Sequence, residues 1–178
     1  MDHKHDLHNI IIEKKFGFCD INPSQDLIFE ERVKLLCFYC AKYGKKRTCP
    51  PLIPNLDWKQ LVSEYENGMF VYHKTPFKYE ITKESRRKSS MLLFNLLKEL
   101  EDNLHDSGYP LAVCFGGGSC KICENTKTGS TIPCQHPTIS RIPVEAMGVN
   151  LVDTLLKFDI QLPFPPESEY YRVGLLLW

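Results

Sequence analysis

The sequence predicts an α/β fold, with α+β as its neighbour, in which a single mixed sheet is covered by helices and carries two cysteine-rich loops. Three observations lead there. Strand-like and helix-like segments follow one another along the chain. One segment, residues 83–105, has clear helical spacing of its leucines. Each cysteine group directly follows an apolar segment. With 178 residues, 43% of them hydrophobic and 25% charged, the chain has the composition of a soluble globular protein that can bury a real core. Residues 1–178 are expected to form one domain, with 1–8 flexible.

The elements follow in order. The first eight residues are rich in histidine and are expected to fray. Residues 8–13, with Ile10, Ile11 and Ile12, have the β-branched content of a short strand. Gly17 and the Asn22-Pro23-Ser24 segment break the chain. Residues 27–36 alternate at Ile28, Glu30, Arg32 and Lys34, which favours a strand over a short helix and leads straight to Cys37. Pro50, Pro51 and Pro54 stiffen residues 37–56 into an extended loop. Asn55 or Asp57 caps a helix to about Asn67, with Trp58, Leu61, Val62 and Tyr65 on one face and Gly68 as its stop. Residues 69–73 read as a strand. The helix over 83–105 starts at the candidate cap Thr82, carries Leu93, Leu96, Leu97, Leu100 and Leu104, and ends at Gly108 and Pro110. Residues 111–115 read as a buried strand that runs into Gly116-Gly117-Gly118. Residues 144–158 look helical with a break near Gly148, and 170–178 look like a further strand.

Lys plus Arg and Asp plus Glu each total 22, so the formal net charge is zero. Proteins that hold nucleic acid through its phosphates carry a basic excess, so nucleic acid is not an expected partner. The basic run 83–88 reads as a solvated helix start. The apolar stretches are too short to span a bilayer, and the polar start lacks the apolar run of a leader. The expectation is therefore a cytoplasmic protein with no membrane contact. In a reducing compartment eight cysteines stay as thiols or thiolates, and their spacing speaks of metal binding or redox chemistry.

Six of the eight form two groups. In the first, Cys37 and Cys40 make a Cys-x-x-Cys turn, and Cys49 follows with Pro50 and Pro51 behind it. Such a turn lets two thiolates converge on one centre while its amides donate to sulfur. A Cys-Pro ending recurs in iron–sulfur loops. In the second, Gly117-Gly118-Ser119 leads into Cys120 and Cys123, and Cys134 is followed by Gln135-His136-Pro137. Glycines after a buried strand let the backbone turn sharply and come close to a bulky inorganic group. Zinc wants four ligands, for instance Cys120, Cys123, Cys134 and His136, or the two Cys-x-x-Cys pairs together. An iron–sulfur cluster wants four thiolates, or three with one other position. Residues alone leave both open. Cys114 reads as a packed core thiol and Cys19 as core unless the fold brings it to a centre.

The pattern from Cys37 through Tyr43-Gly44 to Cys49-Pro50-Pro51, then Gly117-Gly118-Ser119-Cys120-x-x-Cys123 and Cys134-x-His136-Pro137, resembles the DUF2284 family of predicted metal-binding proteins of bacteria and archaea. The run 141–149, with Arg141, Pro143, Glu145-Ala146 and Gly148, also looks like that family, so the resemblance spans roughly residues 28–155. It implies metal binding, weights iron–sulfur above zinc, and brings no reaction with it. Many relatives have a further cysteine where Thr126 stands here, so a four-thiolate cluster in the second loop must recruit Cys114, His136 or an earlier cysteine.

His136 stands at a spacing from Cys134 that suits one shared metal. Glu145 and Arg141 could pair near the centre or clamp a carboxylate, and Tyr39 and Tyr43 could shield the first group from water. The functional expectation is a metal-binding protein with one or two iron–sulfur clusters on Cys37, Cys40, Cys49, Cys120, Cys123 and Cys134, working in electron transfer or as a redox accessory to a partner enzyme. The alternative is a zinc-binding structural module in which the metal only pins the two loops together.

Overall fold

The computed structural model describes residues 3–123 and 133–178. Thr126 and the polar stretch around it, read above as a ligand loop, lie outside the described residues. Four strands form one sheet in the order β1 (Gly17–Ile21), β2 (Gly68–Pro76), β4 (Glu169–Leu177) and β3 (Val113–Phe115). The single sheet covered by helices is as expected. Its pairing between strands is antiparallel throughout, not the mixed pairing expected.

β4 is the organising strand. It runs beside β2 from Gly68↔Leu177 to Pro76↔Glu169 and takes β3 on its other edge. Its side chains alternate faces with the period of two that a strand imposes. Leu176 and Trp178 join Met69 and Val71 under one set of helices, while Val173, Leu175 and Leu177 join Phe70 on the opposite face.

The first face is covered by α1 (His3–Glu13) and α5 (Lys83–Asp106). α5 is the helix expected from the leucine spacing. Thr82 caps it by accepting from the Ser85 amide at 3.1 Å, and all five predicted leucines are buried. α1 corrects two expectations. It starts at His3, inside the stretch expected to fray, and continues through the isoleucines read as a strand. Leu7 and Ile11 lie four apart and both point into the core, so helical burial outweighs the β-branched preference of the run. Its histidines serve packing: His8 stacks on Phe18 and lies 3.0 Å from the Asp20 carboxylate, and His3 meets Tyr109 edge-on.

The second face is covered by shorter pieces: α2 (Pro23–Asp26), α3 (Glu31–Phe38), α4 (Trp58–Ser63), a 3₁₀ turn (Val144–Met147) and α6 (Leu151–Leu156). Asp57 caps α4 by accepting from the Gln60 amide at 3.0 Å. The helix stops at Ser63, short of the expected Asn67, and Gly68 opens β2 instead of ending a helix. α3 corrects the strand read over 27–36. Only Phe29 makes a β-bridge, to Val149, and the chain then turns into helix with no fully buried side chain. An alternation of exposed residues cannot distinguish the two periods. The helical stretch after residue 144, broken at Gly148, is found as expected. Among the described residues, no helix is long and apolar enough to cross a membrane.

Candidate metal centre

The first cysteine group leaves the end of α3 through a series of turns, not the extended loop that its prolines suggested. The Cys40 amide donates to the Cys37 carbonyl at 3.1 Å, and the Tyr43 amide donates to Cys40 at 3.0 Å. Gly44, at φ +65°, takes the left-handed turn, and its amide donates to the Pro50 carbonyl at 2.9 Å. That bond folds the loop back and returns Cys49 to the other two. Cys49 is buried, Cys37 half-buried and Cys40 exposed. Burial, then Glu145 and Cys40, pushes the Cys37 thiol up. Burial, then Cys40 and Cys37, pushes Cys49 up to about 11, against the opposing pull of the Thr48 hydroxyl and Lys121. The three thiols act on one another's charge, and this loose group is the first nest.

A clamp fixes where this nest stands. The Glu30 amide donates to the Gly148 carbonyl and the Asn150 amide to Ile28, both at 2.8 Å, and the Ile28 amide donates to Thr154 Oγ1 at 3.1 Å. These bonds seat α3 on the 3₁₀ turn, so Cys37 at its end faces Glu145. The Glu145 carboxyl accepts from the Gly118 amide at 3.4 Å, and desolvation raises its pKa.

The second group hangs from the end of β3. The Gly116 amide donates to Ile142 at 2.9 Å and the Val144 amide to Gly116 at 3.0 Å, closing the base of the loop. Gly117 then passes so near β4 that a Cβ there would stand 2.6 Å from the Val173 carbonyl oxygen. The glycine is needed by the sheet, rather than by a bulky inorganic group as the sequence suggested. Burial pushes the Cys120 thiol up, the Ile122 amide and Lys46 pull it down, and Cys123 and Cys134 push it up again. Cys123 and Cys134 are thus electrostatic neighbours of Cys120, a second loose nest. The Cys134 thiol donates to Ser140 Oγ at 3.7 Å. His136 is exposed, and its carbonyl accepts from the Ile139 and Ser140 amides at 3.3 and 2.9 Å.

The loops that carry the two nests face each other. Lys46 of the first loop acts on Cys120, and Lys121 of the second acts on Cys49. A cleft of about 770 Å³ between the loops is lined from one side by Thr48 and Ile53 and from the other by Cys134 and Ser140. Burial and the like charges of Lys42, Arg172 and Lys46 depress the Lys121 ammonium pKa. Positive charge is therefore crowded around the thiols, and thiolate or cluster charge would relieve it. The donors are all sulfur, which suits soft metals and iron–sulfur clusters. As the side chains stand, no three His, Cys, Asp or Glu among the described residues are grouped closely enough to hold a metal ion.

The remaining candidates take plainer places. Cys114 is buried in β3, and burial followed by the nearby Glu101 charge drives its thiol pKa far up. Cys19 sits opposite Phe70 on β1, and burial pushes it up to about 12. Both are core thiols. Phe38 meets Tyr39 and Tyr43 edge-on, with Tyr39 largely in solvent.

Arg141 pairs with neither Glu145 nor solvent. It forks onto Glu101, a carboxylate of α5 that is 1% exposed, with Nε donating at 3.0 Å. Lys98 and the Cys114 amide, the latter at 2.8 Å, complete the set around Glu101. Burial raises the Glu101 pKa, but the bonds from Arg141, Lys98 and the Cys114 amide outweigh it and bring the carboxyl down to about 2. Arg141 Nη1 also donates to the Thr138 and Ser140 carbonyls at 3.0 Å, tying the Cys134 side of the loop to α5. Sequence reasoning passed over Glu101. The available signal was its position four residues after Leu97, on the helix face that carries the leucines.

Residues 21–178 match the family DUF2284, described as "Predicted metal-binding protein". Comparisons with curated proteins and with solved structures give no match.

Proposed function

The chain belongs to the DUF2284 family of predicted metal-binding proteins, and on that premise we propose that it holds two iron–sulfur centres, one on Cys37, Cys40 and Cys49 and one on Cys120, Cys123 and Cys134. What supports this reading is that Cys37, Cys40 and Cys49 act electrostatically on one another, as Cys123 and Cys134 act on Cys120, with Lys121 acting on Cys49 and Lys46 on Cys120. When bound, such clusters take up and pass on single electrons. The chain's own residues do the rest. The turns at Cys37 and Cys120 present sulfur, Lys46 and Lys121 offset the charge that thiolates bring, and the Glu101–Arg141 fork holds the Cys134 side of the second loop in place. Adjacent centres suit electron transfer to a partner protein in the cytoplasm, or service as a redox accessory to a partner enzyme. A second reading has one support. Cys120, Cys123, Cys134 and His136 make a Cys₃His set that suits structural zinc.

Anaerobic purification followed by iron, acid-labile sulfide and zinc analysis, with visible and electron paramagnetic resonance spectra, tests both readings. The expected result is matched iron and sulfide, with C49S and C134S each removing a different share of the signal. A colourless protein with stoichiometric zinc and no sulfide overturns the iron–sulfur reading in favour of the structural one.

A further inference from the structure

Between α3, the 3₁₀ turn and β4 lies a cavity of about 320 Å³ that the metal reading does not use. Its walls are apolar, with Val33 and Leu36 from α3, Val149 after the 3₁₀ turn, and Leu162 from the segment before β4. Two charged side chains of opposite sign line it, Glu145 and Arg172. They feel each other's charge, yet among the described residues neither forms an ion pair. Beyond its own backbone amide, Glu145 accepts the long bond from Gly118, at 3.4 Å. Arg172 donates to Ser89 Oγ at 3.4 Å and lies over the Tyr170 ring at 5.6 Å. Arg172 is half-buried, and burial works against its charge. A half-buried guanidinium without a carboxylate partner is costly. So is a desolvated carboxylate without a cation partner.

Ligand pockets of this size are mostly apolar, with a few convergent polar groups that fix orientation. Here the polar groups are one anion and one cation that do not satisfy each other. A molecule that meets both must carry a cation and an anion a few bonds apart, with an apolar tail for the walls. We propose that this cavity is a binding site for an α-amino acid with an apolar side chain, its carboxylate on Arg172, its ammonium on Glu145, and its side chain among Val33, Leu36, Val149 and Leu162. The site does not depend on metal at the cysteine nests.

Titration of ¹⁵N-labelled protein, stripped of metal with a chelator, tests this with L-leucine as the probe. 4-Methylpentanoate lacks the ammonium and 3-methylbutylamine lacks the carboxylate. Leucine is expected to shift the amides of residues 145–152 and 171–173, and each truncated probe to bind at least about tenfold more weakly, since each loses one charged hydrogen-bonding group. R172Q is expected to abolish the preference for leucine over the amine. L36W, which fills the cavity from an exposed position of its wall, is expected to abolish leucine binding while the dispersed spectrum of the rest of the protein is kept. The proposal is overturned if leucine shifts no amide of the pocket, if the three probes bind alike, or if R172Q binds leucine as the wild type does. Because the titrated protein carries no metal, none of these outcomes bears on the metal reading.

Discussion

Replacing Glu101 by glutamine removes a buried charge that two cations and an amide hold in common. The carboxyl titrates at about 2 in the folded chain against an ordinary 4.5. Since one unit corresponds to about 1.4 kcal/mol, ionised Glu101 contributes about 3 kcal/mol at neutral pH. The folded value is the depressed one, so this stability is complete above pH 4.5 and is lost as pH falls through that value towards 2. E101Q should therefore unfold about 3 kcal/mol more easily at pH 7. For 178 residues this is a drop in melting temperature of about 8 °C, taking an unfolding entropy of about 2.1 cal/mol/K per residue. At pH 3 about half of the gap should have closed, because the unfolded wild type has by then protonated this carboxyl while the folded chain still keeps it ionised. Urea unfolding of both proteins at pH 7, 5, 4 and 3 measures the gap directly. A gap of the same size at pH 3 as at pH 7, or none at pH 7, would refute the account of Glu101 as an ionised anchor.

Three further outcomes follow from the same geometry. R141K keeps the charge on Glu101 but loses the fork that also holds the Thr138 and Ser140 carbonyls; it should weaken metal retention by the Cys134 nest about 10- to 100-fold, as measured by competition with a chelator, and leave the Cys49 nest alone. G117A forces a methyl against the Val173 carbonyl and should lower stability by about 1–3 kcal/mol in urea unfolding. T82A deletes the hydroxyl that accepts from the Ser85 amide and should cost about 1 kcal/mol by the same measurement, with a corresponding loss of helical circular dichroism at the start of α5.

What the sequence disclosed was what a single element decides for itself. α5 declares its period through five leucines and its start through Thr82, and both are where they were expected. The break at Gly148 and the strand 170–178 are equally local. α1 and α3 were misread because their residues fit two periods, and the deciding contacts lie elsewhere, with the sheet under Leu7 and Ile11 and with Val149 opposite Phe29. The spacing of the six cysteines set out two candidate groups, since Cys-x-x-Cys is a property of a turn. That each loop lends a lysine to the other's nest was not legible, because Lys46 and Lys121 are 75 positions apart and only the fold brings their loops together. Glu101 and Arg172 were passed over for the same reason. A charged residue on an apolar face or an inner strand is informative only when its partners, or the lack of them, can be seen.

β4 has a consequence in time. Residues 169–177 are synthesised after both cysteine loops, yet they supply the backbone against which Gly117 is laid and the strand that holds β3. While the ribosome is still adding those residues, the second loop has nothing to hang from, and β2 and β3 have no common neighbour. The thiols of the second loop then lack the support that leaves Cys120 half-buried in the finished fold. On the proposed metal reading, loading of the second loop thus belongs after synthesis of β4, when Gly117 has a strand to lie against.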